Sequence, residues 1–500
     1  MLREHWRFFL WATLGGLALR LFFLAWFPAV TDDSRVYLDL ASNWLRHGIY
    51  GQTQAGQIVA AGSRLPGYPA FLAGILSIFG IGNVRAVLLA QIFLDLGTGL
   101  LIADLARRTV RHAWAGRITY ALAASCPFLA NYAAAVLTET LEIFFTALAL
   151  DCAVAGLDRF GETSGKSAWA WMAGAGAAIG ASILVRPDGG ILLASIVLFL
   201  AVVSWTRLGD RSIFRQRDGR AHTGNTANEA TSGAFDARRA DASSLVRAAI
   251  LLAVVALASL VPWTIRNLRT FHHFQPLAPR YATESEELAP RGFNRWVQTW
   301  MAEYVSVEEV YWNVPGDKID ITKLPARALD EPGQAETLAT VAEYNQSQDL
   351  TPELDARFGT LAAERMRAHP LRSRVLLPAL RVADMWLRPR TELLPPDPRW
   401  WEFNDAPGES ALAIGFGLLN LAYLAAAALA LAEARVGLRY IGLRYVGLLG
   451  GFVVLRTAFL WTIENPEPRY TLECYPVVIV LASALFWRRE RVRGDDAASD

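Results

Sequence analysis

Long apolar blocks with few charges inside them constrain this chain of 500 residues more than any other feature of its sequence. A helix needs roughly 20 apolar residues to cross a bilayer, and about ten blocks approach that length. The corresponding spans are predicted near residues 8–28, 84–106, 114–132, 136–157, 168–185, 189–206, 246–264, 411–432, 441–462 and 471–487. The first block has no small-residue cleavage site at its end, so we interpret it as a retained span. The pattern predicts an all-α polytopic membrane protein.

The distribution of basic residues predicts which loops face the cytoplasm. With an internal N-terminus, this set of spans places the short basic segments inside, as the positive-inside rule requires. These segments are 107–112, 158–166, 207–247, 433–439 and the C-terminal RRERVR. A further apolar segment, PGYPAFLAGILSIFG at 66–80, is shorter, and counting it as a span would invert everything after it. We therefore predict that 66–80 forms a re-entrant or juxtamembrane helix at the outer face, shielded from lipid.

Two polar regions separate groups of predicted spans. Residues 207–245 have almost no large apolar residue, which predicts a mobile cytoplasmic loop. Residues 266–409 contain many aromatics and helical patterns, one of them with Thr351 as N-cap and Pro352 at the first helical position, which predicts a folded extracytoplasmic domain. The predicted organisation is a membrane core at 1–265 with a first outer loop at 29–65, the domain at 266–409, C-terminal spans within 410–487 and a cytoplasmic tail at 488–500.

The predicted outer domain carries two further patterns. Five aromatic residues suit either stacking on sugar rings or an aromatic belt at the membrane interface, namely Trp296, Trp300, Tyr304, Tyr311 and Trp312. Residues 371–388 mix apolar and Arg positions at near-helical spacing, which is typical of an amphipathic segment on the outer leaflet.

Composition argues against several classes of function. The formal net charge of +1 gives no indication of a nucleic-acid partner. The 3 cysteines lie in or beside apolar blocks and provide neither a disulfide framework nor a CxxC metal site. His272 and His273 are adjacent without a further ligand at useful spacing, so no metal site is assigned and a divalent ion is left open. We find no inverted pair of broken spans of the kind many transporters show.

Charged residues collect at the predicted outer ends of the spans. Ionisable groups at membrane depth are costly, so several of them at one level indicate a site. The set comprises Asp32 and Asp33 after the first span, Arg64 in GSRLPGYP, Glu139 in LTET, Arg186 in LVRPDG, Arg266 in VPWTIRN, and Glu467 and Arg469 in ENPEPRY. By contrast, Asp95 and Asp151 lie inside predicted spans, and we interpret them as hydrogen-bonding residues between helices.

This set suits group transfer from a lipid phosphate. Arginine binds phosphate oxygens bidentately and stays charged, and a carboxylate can take a proton from an attacking hydroxyl. Structural alternatives stand beside this hypothesis. Asp32 and Asp33 are good N-caps for a helix starting near Ser34, Arg64 could snorkel at the interface, and the remaining residues could pair or anchor spans.

Six stretches of the sequence carry a family resemblance. They are DSRVYLDLASNWLRHGIYG, RLPGYPAFLAGILSIFG, ASCPFLANYAAAVLTETLEIFFTALAL, LVRPDG, VPWTIRN and EPRYTLECYPVVIVLAS. In this order they resemble the integral-membrane glycosyltransferases that use polyprenyl-phosphate sugars, the glycosyltransferase C superfamily. That superfamily includes protein O-mannosyltransferases, the aminoarabinose transferase acting on lipid A, and bacterial galacturonic-acid or mannose transferases. The resemblance covers the whole membrane part of the chain.

The resemblance implies roles for individual residues. Asp33 matches the catalytic acid of the first outer loop, Arg64 the basic residue that contacts the lipid phosphate, and Glu139 the acid of the second outer loop. This chain has Asp32-Asp33-Ser34 where relatives have an Asp-Glu pair, so the division of labour between the two aspartates stays open. The expected donor-phosphate or substrate-binding set is Arg64, Glu139, Arg186, Arg266 and Arg469.

The expected function is transfer of a hexosyl or pentosyl group from a polyprenyl-phosphate sugar to a lipid, glycan or protein acceptor. It would take place at the outer face of a bacterial inner membrane, among membrane lipids. Asp33 would act as general base, while Arg64 with one or both of Arg266 and Arg469 stabilises the departing phosphate. The alternative is a carrier or flippase for a lipid-linked solute that uses the same residues without covalent chemistry.

Overall fold

The computed structural model describes residues 4–110, 114–160, 166–218, 242–281, 287–331, 333–403, 406–432 and 443–486. The chain divides into two compact units. The first comprises Met1–Ala278, Ala425–Leu455 and Glu473–Asp500, and the second comprises Pro279–Leu424 and Arg456–Leu472. The central part of the predicted loop 207–245, the basic segment 433–439 and the predicted tail 488–500 lie outside the described residues.

Of the residues that the structure describes, 75% are helical. The longer α-helices, numbered in chain order, are α1 (Trp6–Trp26), α2 (Asp32–His47), α3 (Gly67–Phe79), α4 (Val84–Thr109), α5 (Ala115–Ala124), α6 (Pro127–Ala133), α7 (Glu139–Arg159), α8 (Lys166–Val185), α9 (Gly190–Asp218), α10 (Ala242–Ala258), α11 (Val261–Phe271), α12 (Arg291–Gln298), α13 (Gln334–Ser347), α14 (Pro352–Ala368), α15 (Leu377–Leu387), α16 (Pro407–Ala432), α17 (Leu443–Leu460) and α18 (Tyr475–Leu485). Between α2 and α3, strand β1 (Gly51–Gln54) pairs antiparallel with β2 (Gln57–Ala60), with Gly51 opposite Ala60.

Seven helical segments among the described residues are long and apolar enough to cross a membrane. They are Trp6–Trp26, Val84–Thr109, Glu139–Arg159, Lys166–Val185, Pro187–Thr206, Ala242–Phe271 and Pro407–Ala432. Each of them falls on a span predicted from the sequence. The chain is therefore an integral membrane protein with a mostly helical fold, as the apolar blocks indicate.

The other three predicted spans form shorter or interrupted helices. Residues 114–132 divide into α5 and α6, because Pro127 lacks a backbone N–H and starts a new helix. Residues 471–487 hold the end of a 3₁₀ turn followed by the 11-residue helix α18, which has Pro476 in its first turn. The described part of the third is α17, with 18 residues. The count of ten spans stays a prediction.

Helix α2 begins with a reciprocal cap that does not involve the two aspartates. Thr31 Oγ1 accepts a hydrogen bond from the backbone N–H of Ser34 at 3.4 Å, and Ser34 Oγ accepts one from the N–H of Thr31 at 2.9 Å. The interpretation of Asp32 or Asp33 as the N-cap is therefore wrong. Both aspartates lie in the first turn of the helix, where a negative charge is favoured by the helix dipole.

Glycines in α8 let this helix approach α10 and the segment that follows it. A Cβ atom at Gly176 would lie 2.7 Å from the carbonyl oxygen of Leu252, and one at Gly180 would lie 2.8 Å from that of Ala256. Real Cβ atoms do not tolerate such distances to backbone. Small residues at this spacing are typical of closely packed membrane helices.

We expect Gly180→Ala to lower the stability of the first unit by about 1–3 kcal/mol, because the added methyl overpacks a backbone contact. The measurement is the midpoint of thermal unfolding in detergent. The matched control is Gly174→Ala on the same helix, whose Cβ would lie 3.6 Å from Cys152 Sγ, an ordinary contact. Equal losses of stability in the two variants would show that helix packing at Gly180 is not the cause.

The second unit has its own aromatic core. Trp296 and Trp300 are both 0% exposed, and their rings lie 5.2 Å apart with Phe358 beside Trp296 at 5.0 Å. Both side chains are buried in protein. They can therefore neither stack on a sugar nor belong to an aromatic belt at the membrane interface, and both sequence interpretations are wrong for these two tryptophans. The predicted start of α14 is confirmed, with Thr351 Oγ1 accepting from the N–H of Leu354 at 3.2 Å.

Candidate functional site

Two chain segments that lead into helices α2 and α7 are joined by a short parallel bridge. The N–H of Ala29 donates to the carbonyl of Ala134 at 3.0 Å, and the N–H of Val136 donates to the carbonyl of Ala29 at 3.1 Å. From α4, the side-chain amide of Gln91 donates to the carbonyl of Ala135 at 2.7 Å. The bridge holds the two segments side by side, and so it sets the positions of the helices that carry Asp33 and Glu139.

Asp33 and Arg64 form an ion pair at the start of α2. Arg64 Nη2 donates to Asp33 Oδ1 at 3.1 Å, and the two side chains are 22% and 34% exposed. Asp32 instead pairs with Arg35 at 2.8 Å, and its side chain is 95% exposed. The two neighbouring aspartates therefore have different surroundings, and Asp33 is the one in contact with Arg64.

The β-hairpin and Arg266 position the segment that carries Arg64. The hydroxyl of Tyr50 donates to the carbonyl of Arg64 at 3.0 Å. Arg266 donates from Nη1 to the carbonyl of Ala61 and from Nη2 to that of Tyr50, both at 2.7 Å, so it joins the two ends of the hairpin. Its guanidinium also lies 5.3 Å from the centre of the Tyr50 ring. These contacts make Arg266 a support for the Arg64 segment.

Glu139 and Arg186 form a second, more buried ion pair. Arg186 Nη1 donates to Glu139 Oε1 at 3.2 Å, and the side chain of Glu139 is 2% exposed. Arg186 also donates from Nε and Nη2 to the two carboxylate oxygens of Asp188, each at 3.2 Å, and its Nε lies 3.9 Å from Glu473 Oε1. A single guanidinium thus contacts three carboxylates from three parts of the chain.

Tyr37 lies within the field of both ion pairs. Burial, followed by the charge of Asp33, raises the pKa of Tyr37 to about 12; Arg64 and Arg186 act in the opposite direction and Glu139 in the same direction as Asp33. Its ring packs edge-on against that of Tyr68, with centroids 5.1 Å apart. The hydroxyl therefore stays protonated at neutral pH and can donate a hydrogen bond. The charges of four residues singled out in the sequence thus act on this one tyrosine.

Arg469 belongs to the second unit and forms a local cluster there. Its Nε lies 2.6 Å from Glu467 Oε2. Glu467 is buried and also accepts hydrogen bonds from the hydroxyl of Tyr470 at 2.6 Å and from the amide of Asn465 at 2.8 Å. The ENPEPRY motif thus folds into its own network of charge and hydrogen bonds.

Sequence reasoning did not single out Glu142, Asp188 or Glu473, and it mentioned Tyr37 only as part of a motif. Glu142 follows Glu139 by three residues, a spacing that places two side chains on one face of a helix, so it could have been found. Asp188 comes two residues after Arg186. No local sequence pattern indicated Glu473, because only the folded chain brings the segment before α18 next to Arg186.

A sequence model of a known protein family matches part of this chain. Residues 63–214 match the sequence model of the family described as dolichyl-phosphate-mannose-protein mannosyltransferase. A search of curated proteins finds no match. The first unit thus contains a segment similar to enzymes named for a polyprenyl-phosphate sugar.

Solved structures of an archaeal oligosaccharyltransferase share the fold of this chain. The archaeal oligosaccharyltransferase AglB from Archaeoglobus fulgidus, in complex with an inhibitory peptide and a dolichol-phosphate, matches with a TM-score of 0.51 and 14% identity, over 100% of this chain and 52% of that chain. The Archaeoglobus fulgidus oligosaccharyltransferase tethered with an acceptor peptide matches with a TM-score of 0.51 and 13% identity, over 96% and 49%. ArnT from Cupriavidus metallidurans bound to undecaprenyl phosphate matches with a TM-score of 0.38 and 15% identity, over 91% and 77%.

The family match over residues 63–214 and the similar fold confirm the resemblance to the glycosyltransferase C superfamily. The chain spans about half the length of the oligosaccharyltransferase whose fold it shares.

Proposed function

We propose that this protein transfers a sugar from a polyprenyl-phosphate-linked donor to an acceptor at the extracytoplasmic face of the membrane. The observation that carries the proposal is the Asp33–Arg64 pair, with 3.1 Å between Nη2 and Oδ1, in the loop region after the first span. A carboxylate and a guanidinium in contact and partly exposed provide a base and a phosphate ligand within one small volume. The family match over residues 63–214, which includes Arg64, supports this assignment.

In the proposed mechanism the donor's phosphate competes with Asp33 for Arg64. Binding of the phosphate neutralises the guanidinium and frees the Asp33 carboxylate to face the acceptor hydroxyl. The hydroxyl oxygen attacks the anomeric carbon while its proton passes to Asp33. The bond from that carbon to the phosphate oxygen breaks, its electron pair stays on the phosphate, and Arg64 stabilises the resulting charge. An in-line displacement of this kind inverts the anomeric configuration.

The other predicted site residues have other roles in this proposal. Glu139 and Arg186 are proposed to bind the sugar or the acceptor beside Tyr37, whose protonated hydroxyl is a further donor there. Arg266 is proposed to act through the hairpin by holding the Arg64 segment. The assignment of Arg469 to the donor phosphate rests on its residue type and its predicted place at the outer end of a span.

The proposed orientation places the Asp33 loop outside a bacterial inner membrane. It rests on the basic segments of the sequence and on the predicted set of ten spans. The transferred group is a hexose or pentose, and the acceptor a lipid, glycan or protein. Mannose is the first donor sugar to try, because the matching family is described by dolichyl-phosphate-mannose.

The proposed function is tested with purified protein in vesicles that contain envelope lipids and glycans, supplied with polyprenyl-phosphate mannose radiolabelled in the sugar. Transfer predicts that free polyprenyl phosphate and a labelled acceptor appear together. A carrier would instead move intact donor to the opposite leaflet without breaking the sugar–phosphate bond. Intact, translocated donor as the sole product would therefore replace the transferase proposal by the carrier alternative.

We expect Arg64→Ala to weaken binding of polyprenyl phosphate about 10- to 100-fold, because a charged hydrogen bond is worth about 1.5–3 kcal/mol. Binding is measured by titration of the protein in detergent. The matched control is Arg35→Ala, which removes an exposed arginine from the same region that pairs with Asp32. An unchanged affinity in Arg64→Ala, or an equal loss in both variants, would remove Arg64 from the phosphate site.

A further inference from the structure

A second group of acids lies beside Arg186. Glu142, Asp188 and Glu473 each have a carboxylate oxygen within 4.8 Å of a carboxylate oxygen of the other two. The three residues come from the first turn of α7, the turn that follows α8 and the 3₁₀ helix Pro468–Cys474 that precedes α18. Asp33 and Arg64 are not members of this group. The cluster therefore joins three distant parts of the first unit.

Glu142 supplies an observation independent of the clustering. Its side chain is 1% exposed, and its Oε1 accepts a hydrogen bond from Ser182 Oγ at 2.7 Å. Its Oε2 is fully buried and has no hydrogen-bond partner. A buried carboxylate oxygen without a donor is costly, so its presence indicates that this atom has another ligand in the working protein.

Close packing of Gly189 against Ser182 brings Asp188 near Glu142. A Cβ atom at Gly189 would lie 2.4 Å from Ser182 Oγ. Only glycine at this position allows the turn that contains Asp188 to pack on the serine that binds Glu142. The serine hydroxyl and the adjacent glycine thus fix both acids relative to each other.

The balance of charge favours a cation at this cluster. Within the described contacts, Arg186 touches Glu139, Asp188 and Glu473, and Glu142 adds a fourth buried or nearly buried carboxylate. The described contacts give Glu142 a hydrogen bond from Ser182 but no ion pair, and uncompensated buried charge is expensive. A divalent ion would remove two negative charges and would use the Glu142 oxygen that lacks a donor.

We propose that Glu142, Asp188 and Glu473 bind a divalent cation that prefers oxygen ligands, of the Ca²⁺ or Mn²⁺ class. Oxygen ligands lie about 2.3–2.6 Å from Ca²⁺, so ligands on opposite sides of the ion are separated by about 4.6–5.2 Å. A separation of up to 4.8 Å suits one ion shared by all three residues. The ion would tie the start of the last helix to α7 and to the turn that holds Arg186. This role goes beyond the proposed sugar transfer, and it requires no donor or acceptor.

The test is Mn²⁺ binding to the purified full-length protein, followed by electron paramagnetic resonance of the free ion, with Ca²⁺ as competitor. We expect the wild type to bind one Mn²⁺ saturably, and Glu142→Gln and Glu473→Gln to weaken binding at least about tenfold. Glutamine keeps an acceptor for Ser182, so Glu142→Gln preserves the neighbouring hydrogen bond. The matched control is Asp104→Asn on α4, an acid that pairs with Arg107 at 2.7 Å and is not a member of the cluster. Its binding should equal that of the wild type.

A second measurement separates ion binding from folding. Mn²⁺ or Ca²⁺ should raise the thermal unfolding midpoint of the wild type and of Asp104→Asn, but not that of Glu142→Gln. If Glu142→Gln does not fold, Glu473→Gln carries the same test. Absence of saturable binding to the wild type would overturn the proposal and leave protons to neutralise the acids. Equal binding by the wild type and both glutamine variants would overturn it as well.

Discussion

Asp33→Asn is expected to reduce transfer from polyprenyl-phosphate mannose by about 10²–10⁴-fold, the usual contribution of a general base. The amide has the same size as the carboxylate and keeps an oxygen that can accept from Arg64 Nη2, which lies 3.1 Å from Oδ1 in the wild type. The substitution therefore removes the base with little change in shape. The rate is measured as release of polyprenyl phosphate from labelled donor under saturating conditions.

Two comparisons make this result specific to Asp33. Asp32→Asn changes the adjacent acid, whose side chain is 95% exposed and pairs with Arg35, so it should keep nearly full activity. Affinity of Asp33→Asn for polyprenyl phosphate should equal or exceed that of the wild type, since Arg64 remains in place and its competing carboxylate is gone. Retained turnover in Asp33→Asn would exclude Asp33 as the base, and loss of turnover in Asp32→Asn alone would exchange the roles of the two aspartates.

The sequence predicts the membrane part of the fold well because its signal is local. An apolar block of sufficient length has few alternatives to a membrane helix. The helix breaks next to Pro127 and Pro476 were not predicted, because hydropathy alone does not show where a helix ends. The charged residues singled out in the sequence include Asp33, Arg64, Glu139 and Arg186, and the charges of these four act on the pKa of Tyr37.

Contacts between distant segments were beyond the reach of the sequence. Arg266 has the residue type and position of a phosphate ligand, yet its guanidinium binds the carbonyls of Tyr50 and Ala61, more than 200 residues earlier in the chain. Glu473 joins Arg186 only through tertiary packing. The tryptophans of the second unit gave an ambiguous signal, since burial in a core and exposure at an interface both favour aromatic residues.

Asp95 shows how a charge inside an apolar block is explained by its partner. Arg20 Nε lies 2.6 Å from Asp95 Oδ2, and the two side chains are 1% and 3% exposed. Arg20 also donates to the carbonyls of Ala124 at 2.7 Å and Ala123 at 3.2 Å, where α5 ends. Carbonyls at the end of a helix lack partners within that helix. Arg20 thus provides hydrogen-bond donors to the carbonyls at the break between α5 and α6, and Asp95 neutralises the charge of Arg20.

Asp95→Ala is expected to destabilise the first unit by about 3–5 kcal/mol, because it leaves a buried arginine without its counter-charge. The loss is measured as a fall in the thermal unfolding midpoint in detergent. Arg20→Met with Asp95→Leu removes both charges, and this double variant should recover part of the loss. Full recovery is not expected, since the carbonyl of Ala124 loses the donor that Arg20 provides. If Asp95→Ala unfolds like the wild type, the pair does not stabilise the helix break; if the double variant is less stable than Asp95→Ala, the carbonyl contacts of Arg20 matter more than the ion pair.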